Sequence, residues 1–236
     1  MRFVRYLLVM ALLVGAVWGG RLVWGSPALG LRRIQVLGNH RVDASTIARS
    51  TDLVRGARLV DLSTSAVELK VERIAWVEHA RVERIVPSTV RITVTERKVA
   101  ATVMIGVTRF LVDATGVILQ EGEEGKLLIT DLRLPKVTLG QRVELITFRD
   151  SLRIAAALPG DIKAALLSVS APSVDGITLR LNDGVEVRYG AAEEMRDKNY
   201  AIEKVLENER SRGRQVAYLD VRDPQRPSVM PRSPSG

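Results

Sequence analysis

His40 and His79 are the two histidines of this chain, and neither has a serine or carboxylate partner at an informative spacing. Both read as surface or packing residues. The acids Glu123 and Glu124 lie in a loop flanked by glycines, where two carboxylates are solvated charge and not a paired acid and base. The absence of cysteine removes disulfides, thiolate zinc sites and cysteine nucleophiles together. The sequence carries no glycine-rich phosphate loop, no nucleophile elbow and no metal-ligand spacing. The expectation is a non-catalytic chain that uses no cofactor, metal or small-molecule substrate. Association with other macromolecules is the chemistry left to it.

The formal charge of +8 is unevenly distributed. Residues 1–30 carry a net +3 and residues 31–100 a net +5, whereas residues 101–213 carry −2 and the last 23 residues +2. No block of five or six like charges occurs, and the basic residues are not interleaved with aromatics, which argues against a nucleic-acid partner. Attraction to anionic lipid is a milder alternative for the basic first part.

A hydrophobic segment opens the chain. Tyr6 to Gly20 contains no charge and follows Arg2 and Arg5. If Arg21 snorkels, the apolar stretch reaches Trp24, close to the ~20 residues that cross a bilayer as a helix. Tyr6, Trp18 and Trp24 lie toward its ends, where amphipathic rings suit the headgroups. The expectation is a single transmembrane helix over 6–24, a cytoplasmic tail of residues 1–5, and everything after Trp24 exported. The competing reading is a cleaved signal peptide with a small-residue site at Ser26-Pro27-Ala28.

After this segment the pattern is that of an α+β protein. Leu31, Ile34 and Val36 suggest a strand ended by the turn pair Gly38-Asn39. Asp43 is placed to cap a helix over Ala44 to Ser50, and Ser65 with Glu68 suggests a capping box for a second. Ala80 and Val82 share a strand face, and Val90, Ile92 and Val94 alternate with polar residues, with Pro87 in the turn between the two strands. Further on, residues 109–119 read as two strands around an Asp-Ala-Thr-Gly turn, and 127–130 as a strand. Residues 145–155 have helical spacing stopped by Pro159-Gly160, and 177–190 form a hairpin around Asn-Asp-Gly. Glu193 to Arg212 is a long helix ended by Gly213, and Val216 to Val221 is a last strand. The remaining residues, 223–236, are rich in proline and serine and are expected to be disordered.

The stretch 31–100 resembles the POTRA domain in the version found in the FtsQ/DivIB family of bacterial cell division proteins. The resemblance rests on Ile34 to Asn39, Ile47 and Thr51, Gly56 with Leu59, the run Trp76, Val77, Ala80, Val82, Arg84 and Pro87, and the I-x-V-x-E-R pattern at Ile92, Val94, Glu96 and Arg97. Residues 101–222 are similar to the β domain of the same family through the D-x-x-G turn, Gly184, Lys198 and the Y-L-D-V-R run. The resemblance implies a POTRA domain of order β-α-α-β-β, then a mixed β domain ending in an edge strand.

It also implies a non-catalytic scaffold at the division septum. Such a protein sits in the cell membrane with its N-terminus cytoplasmic, and recruits the small membrane proteins FtsB (DivIC) and FtsL through its exported part. The candidate partner-binding residues are Tyr218, Leu219, Asp220, Val221, Arg222 and Asp223, taken as an edge strand to which a partner adds its own. Asp223 stands where some relatives have an aromatic residue. The family-motif positions Gly38, Asn39, Gly56, Trp76, Val77, Arg84, Pro87, Glu96 and Arg97 read mainly as structural. Two other readings stay open: a POTRA-bearing transport or assembly factor, and a membrane-anchored sensor of the cell envelope.

Overall fold

The structure is a computed structural model that describes Met10 and residues 30–232 except 125, 126 and 135. The expected membrane segment, 6–24, lies outside the described residues save for Met10. Among the described residues no helix is long and apolar enough to cross a membrane. The chain divides into two compact units at Arg97/Lys98, each with its own sheet.

The first unit has a three-stranded sheet of order β1-β3-β2, built from β1 (Arg33–Leu37), β2 (Val77–Ile85) and β3 (Thr89–Glu96). Strand β1 runs parallel to β3, and β2 runs antiparallel to it. The strict alternation of β3 buries Val90, Ile92 and Val94 on one side. Helices α1 (Ala44–Ser50) and α2 (Thr64–Val71) bring Ile47, Val67 and Val71 into the same core. Each fully buried Val or Ile there contributes about 2 kcal/mol.

Capping departs from expectation at both helices. Asp43 is the N-cap of α1, but its side chain makes no capping bond; its backbone carbonyl accepts from Thr46 and Ile47. At α2 the cap is Ser63, whose Oγ accepts the Ala66 N–H at 3.3 Å. Glu68 turns away from the helix start and accepts the Val82 N–H of β2 at 2.8 Å, so the Ser65–Glu68 box does not form. A sheet N–H needing a partner outcompetes the local cap.

The second unit has a nine-stranded mixed sheet of order β12-β11-β10-β9-β8-β7-β4-β5-β6. Its strands are β4 (Val99–Ile105), β5 (Thr108–Asp113), β6 (Ile118–Glu121), β7 (Leu128–Thr130), β8 (Leu166–Ser170), β9 (Thr178–Leu181), β10 (Glu186–Arg188), β11 (Val216–Asp220) and β12 (Ser228–Pro231). Val99 and Ala100, read above with the first module, belong to β4. Cross-strand register aligns Val103, Ile129, Val169, Leu179, Val187 and Leu219 in one fully buried row. Helices α3 (Ile146–Ala157), α4 (Gly160–Ala165) and α5 (Met195–Ser211) bury Phe148, Ile154, Ile162, Ile202 and Leu206 into the same cluster. The other face carries the row Leu128, Ser168, Arg180, Glu186, Tyr218 and Met230.

The C-terminal residues correct the expectation most. Ser228–Pro231 form β12, antiparallel to β11, so this part of the 223–236 tail is not disordered. The physical reason lies in β11, whose outer N–H and C=O groups are satisfied when the chain turns at Asp223–Arg226 and returns alongside.

Candidate functional site

Strand β11 is built into the sheet on both sides. It pairs in parallel with β10 through Glu186↔Tyr218, Val187↔Leu219 and Arg188↔Asp220, and antiparallel with β12 through Tyr218↔Met230, Leu219↔Val229 and Asp220↔Ser228. The expected edge strand therefore has no free edge. Among the described residues the sheet ends at β12, and all four of its residues are exposed.

The six candidate residues fall into three environments. Leu219 and Val221 are fully buried core residues. Tyr218 and Asp220 lie on the opposite face, where the Arg188 guanidinium stacks over the Tyr218 ring at 4.4 Å from its centroid. Arg222 and Asp223 lie beyond the strand. Arg222 folds back and grips Asp220 through Nε and Nη2 at 3.0 and 2.6 Å. That bond outweighs partial burial and holds the Asp220 carboxyl below the usual range. Asp223 accepts the Gln225 N–H at 3.0 Å and so shapes the turn into β12.

Ser228 to Pro231 escaped the sequence reading because two prolines frame only three other residues. The available signal was that same framing, since proline within a sheet is confined to edges. Val229 shares the face of Leu219 and Met230 that of Tyr218, and they remain 37% and 51% exposed. At one end of β12, Arg210, Arg214 and Arg232 line a cleft of about 150 Å³ together with Asp183. The edge thus offers backbone groups, two apolar side chains and a basic flank. That is equipment for holding an extended chain.

The motif residues of the first unit hold its architecture. Gly38 has φ +80°, and a Cβ there would lie 2.3 Å from the Val94 carbonyl oxygen. Asn39 Nδ2 donates to the Val42 carbonyl at 3.0 Å. Gly56 also has positive φ and donates its N–H to the Leu31 carbonyl at 2.8 Å. Trp76 is buried with the Arg41 guanidinium 4.5 Å from its ring centroid, and Val77 is fully buried. Arg84 is exposed opposite Val90 on β2, and Pro87 lies in the β2–β3 turn. Arg97 donates its backbone N–H to the Trp76 carbonyl at 2.8 Å.

Glu96 proves more than a surface charge. Its carboxylate accepts the backbone N–H groups of His40, Arg41 and Val42 at 2.9–3.0 Å, pinning the β1–α1 turn to the end of β3. Burial disfavours the ionised form, but the three backbone donors outweigh it and depress the carboxyl pKa.

The residues first considered for chemistry do not converge. His40 lies in the β1–α1 turn, His79 is exposed on β2, and Glu123 forms an ion pair with Arg109 in the second unit. Among the described residues no group of three His, Cys, Asp or Glu side chains could hold a metal ion.

Comparison with known proteins agrees with this division. Residues 29–97 match the family model described as POTRA domain, FtsQ-type, and residues 101–222 match that described as Cell division protein FtsQ/DivIB, C-terminal. The chain is similar to Cell division protein FtsQ of Corynebacterium glutamicum, with 27% identity over 86% of this chain and 93% of that protein. It is also similar to Cell division protein FtsQ of Syntrophotalea carbinolica, with 28% identity over 89% and 82% of the two chains. With that of Mycobacteroides abscessus the identity is 28% over 81% of this chain and 60% of that one. The two matched regions account for both units and nearly every strand described, and the chain belongs to the FtsQ/DivIB family of bacterial cell division proteins.

Proposed function

We propose that this protein is a septal scaffold, anchored by residues 6–24 with its N-terminus in the cytoplasm, which recruits FtsB/DivIC-like and FtsL-like membrane proteins through its exported part. The observation that carries the proposal is β12, an exposed strand at the end of a nine-stranded sheet. A partner strand added there satisfies backbone groups that otherwise face water, and contacts with Val229, Met230 and Tyr218 select its side chains. The arginines at 210, 214 and 232 favour an acidic residue beside that strand.

The test is complementation. Cells depleted of the protein should form filaments without septa, and the unaltered chain should restore division and co-purify the FtsB/DivIC-like protein. A Val229→Lys, Met230→Lys chain should remain membrane-bound and folded, since both side chains are already exposed, yet lose the partner and fail to restore septa. Full complementation by that variant would remove β12 from the interface. Normal septation on depletion would overturn the septal role itself.

A further inference from the structure

We infer that the free edge of β12 is built to accept a foreign strand and to reject a second copy of itself, because prolines remove all but one of its outward donors. This rests on the reading of β12 as the partner edge. Backbone N–H groups point to alternate sides along a strand, and in a trans peptide the C=O points opposite to the N–H of the next residue. The Val221 N–H donates to Arg188 of β10 at 3.0 Å, so by alternation the N–H groups of Asp220 and Tyr218 point toward β12. Their partners are Ser228 and Met230, which makes these the pairs that exchange bonds; Leu219↔Val229 lies between them and exchanges none. At the far end the Arg232 N–H donates to Gln215 at 2.7 Å, which gives β12 the same parity independently.

Residues 228, 230 and 232 therefore bond inward, and residues 227, 229 and 231 face outward. Positions 227 and 231 are prolines and have no N–H. Within 227–231 the outward side then holds one donor, the Val229 N–H, against three acceptors, the carbonyls of Pro227, Val229 and Pro231.

This imbalance decides the occupant. A foreign strand free of proline brings an N–H to each of the three carbonyls and a carbonyl to Val229, filling every outward group. Two copies of β12 bring one donor each, so in any register they form at most two bonds and set the remaining carbonyls against each other. The unmet acceptors cost more than the bonds return. The partner is accordingly a proline-free extended segment of another protein, with an apolar residue opposite Val229 and an acidic one toward Arg232.

The chain contains no cysteine, so a single introduced thiol reports self-pairing cleanly. Val229→Cys would be made in the detergent-solubilised full chain, with the native prolines and with Pro227→Val and Pro231→Val together, and oxidised with copper phenanthroline. Val107→Cys, at a site 97% exposed in the β4–β5 turn, controls for random collision. Restoring both donors should raise disulfide-linked dimer at position 229 by roughly tenfold or more and leave position 107 unchanged. Equal cross-linking at 229 in the two backgrounds, or a parallel rise at 107, overturns self-exclusion. The septal complementation test is separate: if Val229→Lys, Met230→Lys retains the partner while the proline effect stands, the edge excludes itself but is not where the partner sits.

Discussion

Three backbone N–H groups converge on the Glu96 carboxylate from a turn more than fifty positions earlier in the chain. Ordinary surface ion pairs contribute little, but charge-assisted bonds to backbone donors contribute about 2 kcal/mol in favourable cases. Because the folded pKa lies below the unfolded value of roughly 4.3, the stabilisation is complete above that pH. It is lost as pH falls through the folded pKa. We expect Glu96→Ala to lower stability by about 2 kcal/mol at neutral pH. Urea melts at successive pH values should show the gap between the two proteins narrowing below about pH 4. A gap independent of pH would mean that the charge is not what holds the turn. Gly38 closes the same turn from the other side. Gly38→Ala meets both the positive φ and the Val94 carbonyl at 2.3 Å, and should cost several kcal/mol in the same assay, with the first unit losing its cooperative transition. The role of Glu96 could not be read from its neighbours in sequence, since its partners are remote; the glycine was legible because turn chemistry is local.

Elements with clean periodicity were legible, and the others were not. Strand β3, the β9–β10 hairpin and α1 stand where alternation, an Asn-Asp-Gly turn and the residue before a helix place them. Strand β4 hides in the run Val-Ala-Ala-Thr-Val-Met-Ile, where apolar residues on both faces erase the period. Strand β8 follows α4 with no turn residue between them, and Pro159-Gly160, read as a stop, is also the start of α4. Strand β12 was obscured by the prolines that define it as an edge. Its bonding pattern makes a prediction for amide hydrogen exchange. Ser228, Met230 and Arg232 should exchange slowly enough to follow, while Val229, whose N–H faces outward, should exchange at nearly the rate of an unstructured amide. Slow exchange at Val229 in the isolated protein would reverse the parity and with it the donor count.

At the scale of the whole molecule, the question is which unit carries the partner. The continuous core of the second unit draws its residues from Ala101 to Val221, all within that unit. A domain of that size buries enough surface to fold alone. The first unit has a smaller core, around Ile47, Val71, Val77, Val90 and Ile92, and its sheet has edge strands of its own at β1 and β2. Among the described residues four strands therefore stand at sheet edges, β1 and β2 in the first sheet and β6 and β12 in the second. The β2 and β12 edges differ in chemistry: at β2 the Ala80 and Val82 N–H groups already donate to the Glu72 and Glu68 carboxylates, and Glu78, Arg81, Glu83 and Arg84 add charges of the kind that blunt an edge, whereas β12 places Val229 and Met230 at its centre. Expressed separately, residues 98–236 should show a cooperative thermal transition and bind the FtsB/DivIC-like protein within a few-fold of the full exported part, while residues 31–97 should not bind it. Capture of that protein by residues 31–97 alone would place the recruiting edge in the first unit and leave β12 without its proposed occupant.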